Sequence, residues 1–293
     1  MSNVPNTPSV HGGGDFPSAP VSDETKATLL EVSKRVRRNV IEMLCQAGSG
    51  HPGSSLSEVE IILYLYKNWM RHDPSNPSDP NRDKFVLSKG HGVPTQYAVM
   101  AECGYLPESE LNSLRQLGSR LQGHPDPTRL PGIEAASGSL GQGLSIAQGM
   151  ALADKMDGRE ATTFCMIGDG ETQEGQIWEC AMSAPKLGLQ NLVVFTDYNK
   201  AQIDGYVHEV MPLESLAAKW AAFNWNVVEI DGHDYDQIQG ALKFAKDNTD
   251  GRPTQIIAHT IKGKGVSFME NVVDWHGKAP SREQADQALE ELK

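Results

Sequence analysis

The chain has 293 residues, enough for one large α/β domain or two small ones. Its 22% charged residues are ordinary for a globular protein, and its formal charge of −12 argues against nucleic acid or an acidic membrane surface as the main partner. Cys45, Cys103, Cys165 and Cys180 are scattered, which fits reduced thiols in a cytoplasmic protein better than a disulfide framework or a zinc site. The longest apolar run, residues 61–66, is far too short to cross a bilayer, and no secretory signal is visible at the N-terminus.

Residues 1–22 are rich in Pro, Ser, Asn and Gly without periodicity, so a mobile tail is expected there and a single domain over 23–293. His11-Gly-Gly-Gly has no G-x-S-x-G elbow to serve, which removes a lipase-type site. Leu29, Val32, Val36, Val40 and Leu44 recur at helical spacing between the caps Ser22 or Asp23 and Gly48. Residues 56–70 read as a second helix, apolar on nearly all sides and therefore buried. A strand is expected at 85–88, then helices over 93–103 and 107–117. Residues 137–143, S-G-S-L-G-Q-G, form a glycine-rich turn that opens a helix to about 156. They fall short of the dinucleotide pattern G-x-G-x-x-G, because Ile146 stands where the last glycine is needed. Strands at 161–167, 192–196, 225–230 and 254–259 alternate with helices at 176–187, 213–222 and 234–246, and 263–293 starts irregular and ends as a polar helix. That alternation points to α/β architecture: a doubly wound, mostly parallel sheet with helices on both faces.

Chemistry concentrates between 167 and 203. Asp169 closes one strand and Asn199 the next, and the helix between them makes a βαβ unit, which brings both strand ends to one edge of the sheet. Glycines on either side of Asp169 let backbone N–H groups approach an anion at the start of the following helix. A carboxylate, an amide carbonyl and main-chain oxygens are hard ligands, suited to Mg²⁺ shared with a phosphate ester. A turn capped by Asp169 would explain Gly-Asp-Gly alone, but not the correctly spaced Asn199. His51, His91, His124 and His276 lie in Gly- or Pro-rich loops, G-H-P-G, K-G-H-G, G-H-P and W-H-G-K. Taken singly, each is more often structural than catalytic.

G-D-G followed about thirty residues on by Asn is similar to the thiamine diphosphate motif, and G-D-G-E-x-x-E-G-x-x-W-E resembles its transketolase form. The four histidine loops, G-S-L-G-Q-G and T-I-K-G-K-G extend the resemblance over essentially residues 25–293. It implies a thiamine diphosphate-binding fold in which Asp169, Asn199 and the Ala201 carbonyl hold Mg²⁺ (or Ca²⁺ or Mn²⁺), while Gly170 offers its N–H to the diphosphate. It further implies that His51 and His276 sit where cofactor meets sugar, that His91 lies near the cofactor and that His124 binds substrate hydroxyls. Gly138 and Leu140 would meet the aminopyrimidine end, and Ser54 and Lys262 match positions that contact cofactor in some members. Ser139 stands where some members have Pro; the contacts there are largely main-chain. Glu174 has two readings: a charge favouring a helix N-terminus, or, by resemblance, a proton-sharing carboxylate at a subunit interface.

The resemblance also implies what lies elsewhere. A full-length transketolase continues into pyrimidine-binding and C-terminal domains, so this chain is expected to be the N-terminal subunit of a split transketolase. It would work with a separate C-terminal subunit, as an α2β2 assembly, on sugar phosphates of pentose phosphate metabolism or a specialised or sulfonated sugar, with no nucleic acid or membrane partner. Half-enzymes related to deoxyxylulose phosphate synthase or to 2-oxo acid dehydrogenase α subunits share Gly-Asp-Gly and Asn, but do not usually combine them with G-H-P-G, G-S-L-G-Q-G and W-H-G-K. A non-catalytic scaffold of the same fold would show eroded ligands or histidines.

Overall fold

Ser22 opens the first helix, α1 (Asp23–Ala47): its hydroxyl accepts the Thr25 N–H at 3.2 Å, and Gly48, at φ +62°, closes the last turn. The computed structural model describes residues 19–293 and the main chain of Val10 and His11. The tail expected over 1–22 therefore falls outside the described residues at 1–9 and 12–18. Val10–His11 forms a short strand, β1, and the N–H of buried Val21 donates to Asp236 at 2.7 Å.

The region after Gly48 departs from the single helix expected over 56–70. It holds α2 (Pro52–Ser57), α3 (Val59–Tyr64) and a π-helical turn at Leu65–Trp69. Pro52 starts α2, since its missing N–H costs nothing in a first turn. The break falls at Glu58, whose φ of −99° and ψ of 2° turn a buried carboxylate toward the core. Met70 N–H reaches back to Leu65 at 2.8 Å, an i→i−5 bond that widens the final turn. Strand β2 (Lys84–Leu87) and helix α4 (Val93–Glu102) follow where expected. The helix expected over 107–117 shrinks to a 3₁₀ segment, Glu108–Ser113, because Leu114 is extended and Arg115 is left-handed at φ +61°.

Beyond the glycine-rich turn come α5 (Gln142–Met156), β3 (Thr163–Gly168), α6 (Gly175–Leu187) and β4 (Leu192–Tyr198). A small antiparallel hairpin, β5 (Ala201–Gln202) and β6 (Gly205–Tyr206), was not foreseen. It leads into α7 (Val207–Val210), α8 (Leu216–Ala222), β7 (Asn226–Asp231), α9 (Tyr235–Asp247), β8 (Thr254–His259) and α10 (Arg282–Glu291).

Among the described residues, the main sheet is parallel throughout, in the order β1-β7-β8-β4-β3-β2. Alternation along each strand divides the core. Val86, Cys165, Val194 and Val227 pack with Leu144, Ile177 and Trp220 of α5, α6 and α8. Phe85, Phe164, Phe195 and Val228 pack on the opposite face with α1, α3, α4, α9 and α10. Each fully buried Val, Leu, Ile or Phe contributes about 1.5–3 kcal/mol of transfer free energy. Helices α5 and α6 thus cover one face as the chain passes β2, β3 and β4, whereas α9 covers the other between β7 and β8. After β4 the chain passes over β8 to β7 and then returns to β8, so β4 and β8 become neighbours, the kind of junction at which open α/β sheets bind ligands beyond their C-terminal strand ends.

Candidate cofactor and sugar site

Asp169 and Asn199 follow adjacent strands, β3 and β4, at the C-terminal edge of the sheet. Asp169 is 3% exposed and clamps both strand tips, its Oδ1 accepting the Gly170 N–H at 2.7 Å and its Oδ2 the Lys200 N–H at 2.5 Å. Lys200 takes a left-handed φ of +67° to present that N–H, a conformation of the kind that collects at functional sites. Asn199 is oriented from both sides: its Nδ2 donates to Asp197 at 3.0 Å and its Oδ1 accepts the Ala201 N–H at 3.2 Å. Burial, with the nearby charge of Asp197, pushes the Asp169 carboxyl up to about 7. The Gly170 and Lys200 N–H groups and the charge of Lys262 oppose that shift without cancelling it.

Lys262, fully buried, supplies a cation at the same corner. Its Nζ donates to the Ala201 carbonyl at 3.3 Å and lies 3.1 Å from His276 Nδ1. Burial pushes its ammonium down to about 8, although the Asp169 charge opposes the shift. The donor set fits a metal diphosphate: an underneutralised carboxylate, an aligned amide oxygen and a main-chain carbonyl already drawn to an ammonium. Among the described residues no three His, Cys, Asp or Glu side chains cluster as a metal site, so a cation here would depend on the amide and the carbonyl. A side chain on Gly170 would start 3.3 Å from the Gln202 side chain, a tight contact that favours glycine at this turn.

The four loop histidines converge. His51 lies 5.0 Å from His91, 6.4 Å from His124 and 5.6 Å from His276, ring centre to ring centre, and His91 lies 5.3 Å from His276. Burial comes first in holding them neutral: His51 is pushed down to about 4 and His276 to about 3, with His91 well below and His124 below the usual imidazole range. The charges of Arg115, Lys262 and Lys89 add to the effect. Neutral imidazoles can donate and accept protons with hydroxyl groups without repelling a metal. Among the described residues, two buried atoms here, His51 Nδ1 and Ser54 Oγ, find no hydrogen-bond partner.

Glycines explain why these loops approach so closely. A Cβ on Gly53 would sit 2.9 Å from the Lys262 side chain and from the Trp275 carbonyl, and one on Gly90 only 2.3 Å from the Ser137 carbonyl. Gly138 lies beside His124, where its Cβ would be 3.9 Å from Cγ, and Leu140 is 37% exposed at the rim. Glu174 is exposed just before α6, its side chain making no cap bond and standing beside the glycine-rich turn at Gly141.

Sequence reasoning missed the support beneath the site. Asp197, fully buried, accepts from Ser57 at 2.7 Å and from Lys89 and Thr260, and it orients Asn199. Lys89 is also 2.9 Å from Glu58 and from the Ser54 carbonyl. Glu171 ties three segments together, accepting from Ser88 at 2.5 Å, Gly141 N–H at 2.8 Å and Gly168 N–H at 3.0 Å. Glu58 and Glu60, two acids set in the largely apolar run L-S-E-V-E-I-I, were the visible signal, since acids buried in such a helix need partners; Glu60 has Arg37 at 2.8 Å.

This fold and these strand-end donors define a thiamine diphosphate-binding α/β domain, and comparison with known proteins agrees. Residues 30–292 match the transketolase thiamine diphosphate binding domain. The 6-deoxy-6-sulfo-D-fructose transketolase subunit SqwG of a Clostridium species is 46% identical, over 92% of this chain and 98% of its own length. An apulose-4-phosphate transketolase subunit from Phocaeicola vulgatus is 40% identical, over 90% of this chain and 94% of its own. The crystal structure of transketolase from Campylobacter jejuni superposes with a TM-score of 0.85 at 33% identity, covering 90% of this chain but 43% of that one. The chain thus spans about two fifths of such solved transketolases. It belongs to the transketolase family and, within it, is an enzyme subunit of the N-terminal, thiamine diphosphate-binding kind. Among the described residues no helix is long and apolar enough to cross a membrane.

Proposed function

We propose that this chain anchors the diphosphate half of thiamine diphosphate in a two-subunit transketolase, which moves a two-carbon ketol unit from an anionic ketose to an aldose phosphate. The observation that carries this reading is coverage: the chain matches separately named transketolase subunits over 98% and 94% of their lengths, but only 43% of a solved transketolase chain. A separately encoded subunit supplies the pyrimidine-binding half, in an α2β2 assembly. The substrates are sugars of pentose phosphate metabolism or a sulfonated relative; the names of the two subunit relatives specify a sulfosugar and a sugar phosphate. Four free cysteines support a reducing, cytoplasmic setting.

Thiamine diphosphate, when bound, supplies the carbanion chemistry that breaks and remakes the C–C bond. The chain's own residues do the rest. Asp169, Asn199 and the Ala201 carbonyl hold Mg²⁺ (Ca²⁺ or Mn²⁺ would satisfy the same oxygens), Gly170 N–H and Lys262 meet the diphosphate, and Gly138, Leu140 and Ser54 line the cofactor. His51 and His276 hold and move protons where cofactor meets sugar, His91 lies against the cofactor, and His124 binds sugar hydroxyls. Their suppressed basicity leaves imidazole nitrogens free to accept a hydroxyl proton at neutral pH. Glu174, exposed just before α6, shares a proton across the subunit interface.

The test mixes this chain with candidate partner subunits and assays thiamine diphosphate-dependent transfer from xylulose 5-phosphate. Asp169→Ala should abolish transfer and cofactor uptake in calorimetry. Transfer by this chain alone would overturn the two-subunit reading, and full activity of the Asp169→Ala assembly would overturn the site.

A further inference from the structure

The loop that carries Lys262 is fastened by side chains that the site described above does not use. Arg37 on α1 and Glu60 on α3 are both 5% exposed and form a two-pronged pair, Nη1 to Oε1 at 2.8 Å and Nη2 to Oε2 at 2.9 Å. His233, in the turn between β7 and α9, joins them, with its Nδ1 2.8 Å from Glu60 Oε2. Burial alone would raise Glu60, but the Arg37 charge and the hydrogen bonds from His233 and Arg37 hold its carboxyl down to about 2. Glu60 therefore accepts on every side, and the proton of the His233 ring belongs on Nδ1. That leaves Nε2 bare.

The bare nitrogen accepts the Ile261 N–H at 2.9 Å. At the far end of the network, Arg37 donates from Nε to the Lys264 carbonyl at 2.9 Å. These two contacts bracket Lys262, one residue before it and two after. Between them the Gly263 N–H donates to the Gly53 carbonyl, and the Lys262 carbonyl accepts the Asn271 N–H, each at 2.9 Å. The packing is close: a Cβ on Gly263 would fall 2.3 Å from the Met269 carbonyl, and one on Gly265 would fall 2.9 Å from Arg37 Cδ. From this fixed backbone the fully buried Lys262 side chain runs to the Ala201 carbonyl and His276.

We propose that His233 is a positioning residue of the cofactor site: backed by Glu60 and Arg37, it fixes the 261–264 backbone so that the Lys262 ammonium meets the diphosphate. This assignment rests on the proposed diphosphate site and extends it to three residues outside the metal donors and the loop histidines. Exchanging a buried ion pair for apolar side chains of the same volume is often neutral for stability, so what this network supplies is direction. A lysine side chain is long and loses much rotamer freedom when it is held. Starting it from a fixed main chain leaves less to be ordered when the anion arrives.

Three variants separate the contact from the fold. His233→Phe fills the ring volume without either polar atom and leaves Glu60 paired with Arg37. His233→Asn keeps a donor for Glu60 but falls short of Ile261, and His233→Gln returns an acceptor to that N–H. Calorimetry with Mg²⁺ on the full chain should find pyrophosphate bound about tenfold more weakly by the Phe and Asn variants, and within about threefold of wild type by the Gln variant. In the assembled enzyme the Phe and Asn variants should need about tenfold more thiamine diphosphate for half-activity, while the donor KM at saturating cofactor stays within about twofold. A double-mutant cycle with Lys262→Met then distinguishes aiming from general loosening: once the ammonium is gone, neither variant should cost further pyrophosphate affinity. Losses that multiply in the double variants, or wild-type affinity in either folded single variant, overturn the proposal. A wild-type chain that takes up neither pyrophosphate nor, in the assembly, thiamine diphosphate defeats the cofactor reading itself, which is a different result from a site that binds normally and ignores residue 233.

Discussion

Lys89 is 1% exposed and lies between two acids, Asp197 and Glu58. Burial alone would raise Asp197, but the Lys89 charge and the hydrogen bonds from Lys89, Thr260 and Ser57 hold its carboxyl below the usual range. Burial pushes Glu58 up to about 8, with the charge of Asp197 working against that of Lys89. The trio is therefore balanced near neutrality as Lys89⁺, Asp197⁻ and a protonated Glu58. Lys89→Met strands a buried carboxylate directly behind Asn199 and should cost about 3–5 kcal/mol in urea denaturation. Lys89→Met with Asp197→Asn should recover part of it; a single-variant loss under about 1 kcal/mol would contradict the pairing. A second prediction concerns His51, which is pushed down to about 4 in the folded chain by burial and by Arg115 and His124, against an ordinary value of 6.5. Between those values the unfolded chain takes up a proton that the folded chain refuses. Stability is thus complete above pH 6.5 and is lost as pH falls toward 4. His51→Gln should flatten the decline of the urea midpoint over that window, and an unchanged slope would show that His51 is not the group responsible. The histidine loops were legible because glycine and proline surround them. Lys89 and Asp197 were not, because a buried charge is readable only once its partner strand is known.

Helix α5 carries two glycines with opposite prospects. Gly143 packs on β2: its Cβ would fall 2.6 Å from the Ser88 Cα, a backbone atom that cannot swing aside. Gly143→Ala should therefore push the glycine-rich turn off the sheet, at an overpacking cost of about 1–3 kcal/mol that exceeds the helical preference of alanine. Gly149 meets nothing within 4 Å, so Gly149→Ala in the isolated chain should add up to about 1 kcal/mol. Thermal unfolding of both variants checks the pair; two shifts of the same sign would mean that the packing of α5 on β2 is looser than described. The same contrast shows what elements disclose in advance. Strands β3 and β4 were legible because continuous apolar runs belong to buried parallel strands. The break at Glu58 and the shortened segment at Glu108–Ser113 were not, since each is set by a distant group: Lys89 in one case, and the inward fold of the Arg115 loop in the other. The β5–β6 hairpin has only two residues per strand, too few for a pattern.

At the scale of the molecule, the two ends of the cofactor should meet different surroundings on this chain. The corner proposed for the diphosphate is enclosed, with Asp169 at 3% exposure and Lys262 at 0%, whereas Leu140 at 37% and Ile203 at 66% lie open. On the proposed function, such an enclosure would let the isolated subunit recognise a metal diphosphate while giving it little to grip the organic part with. Calorimetry with Mg²⁺ should then find pyrophosphate and thiamine diphosphate binding the isolated chain within about threefold of each other, a difference under about 0.7 kcal/mol. Once the partner subunit closes over Gly138 and Leu140, apolar surface on the ring is removed from water and the preference should widen to about 100-fold, near 2.8 kcal/mol. Cofactor and partner would then stabilise one another, because each binds best to the state the other favours. An isolated chain that already prefers thiamine diphosphate by the larger factor would mean that the ring is seated within this subunit, and that the partner contributes something other than the second half of the site.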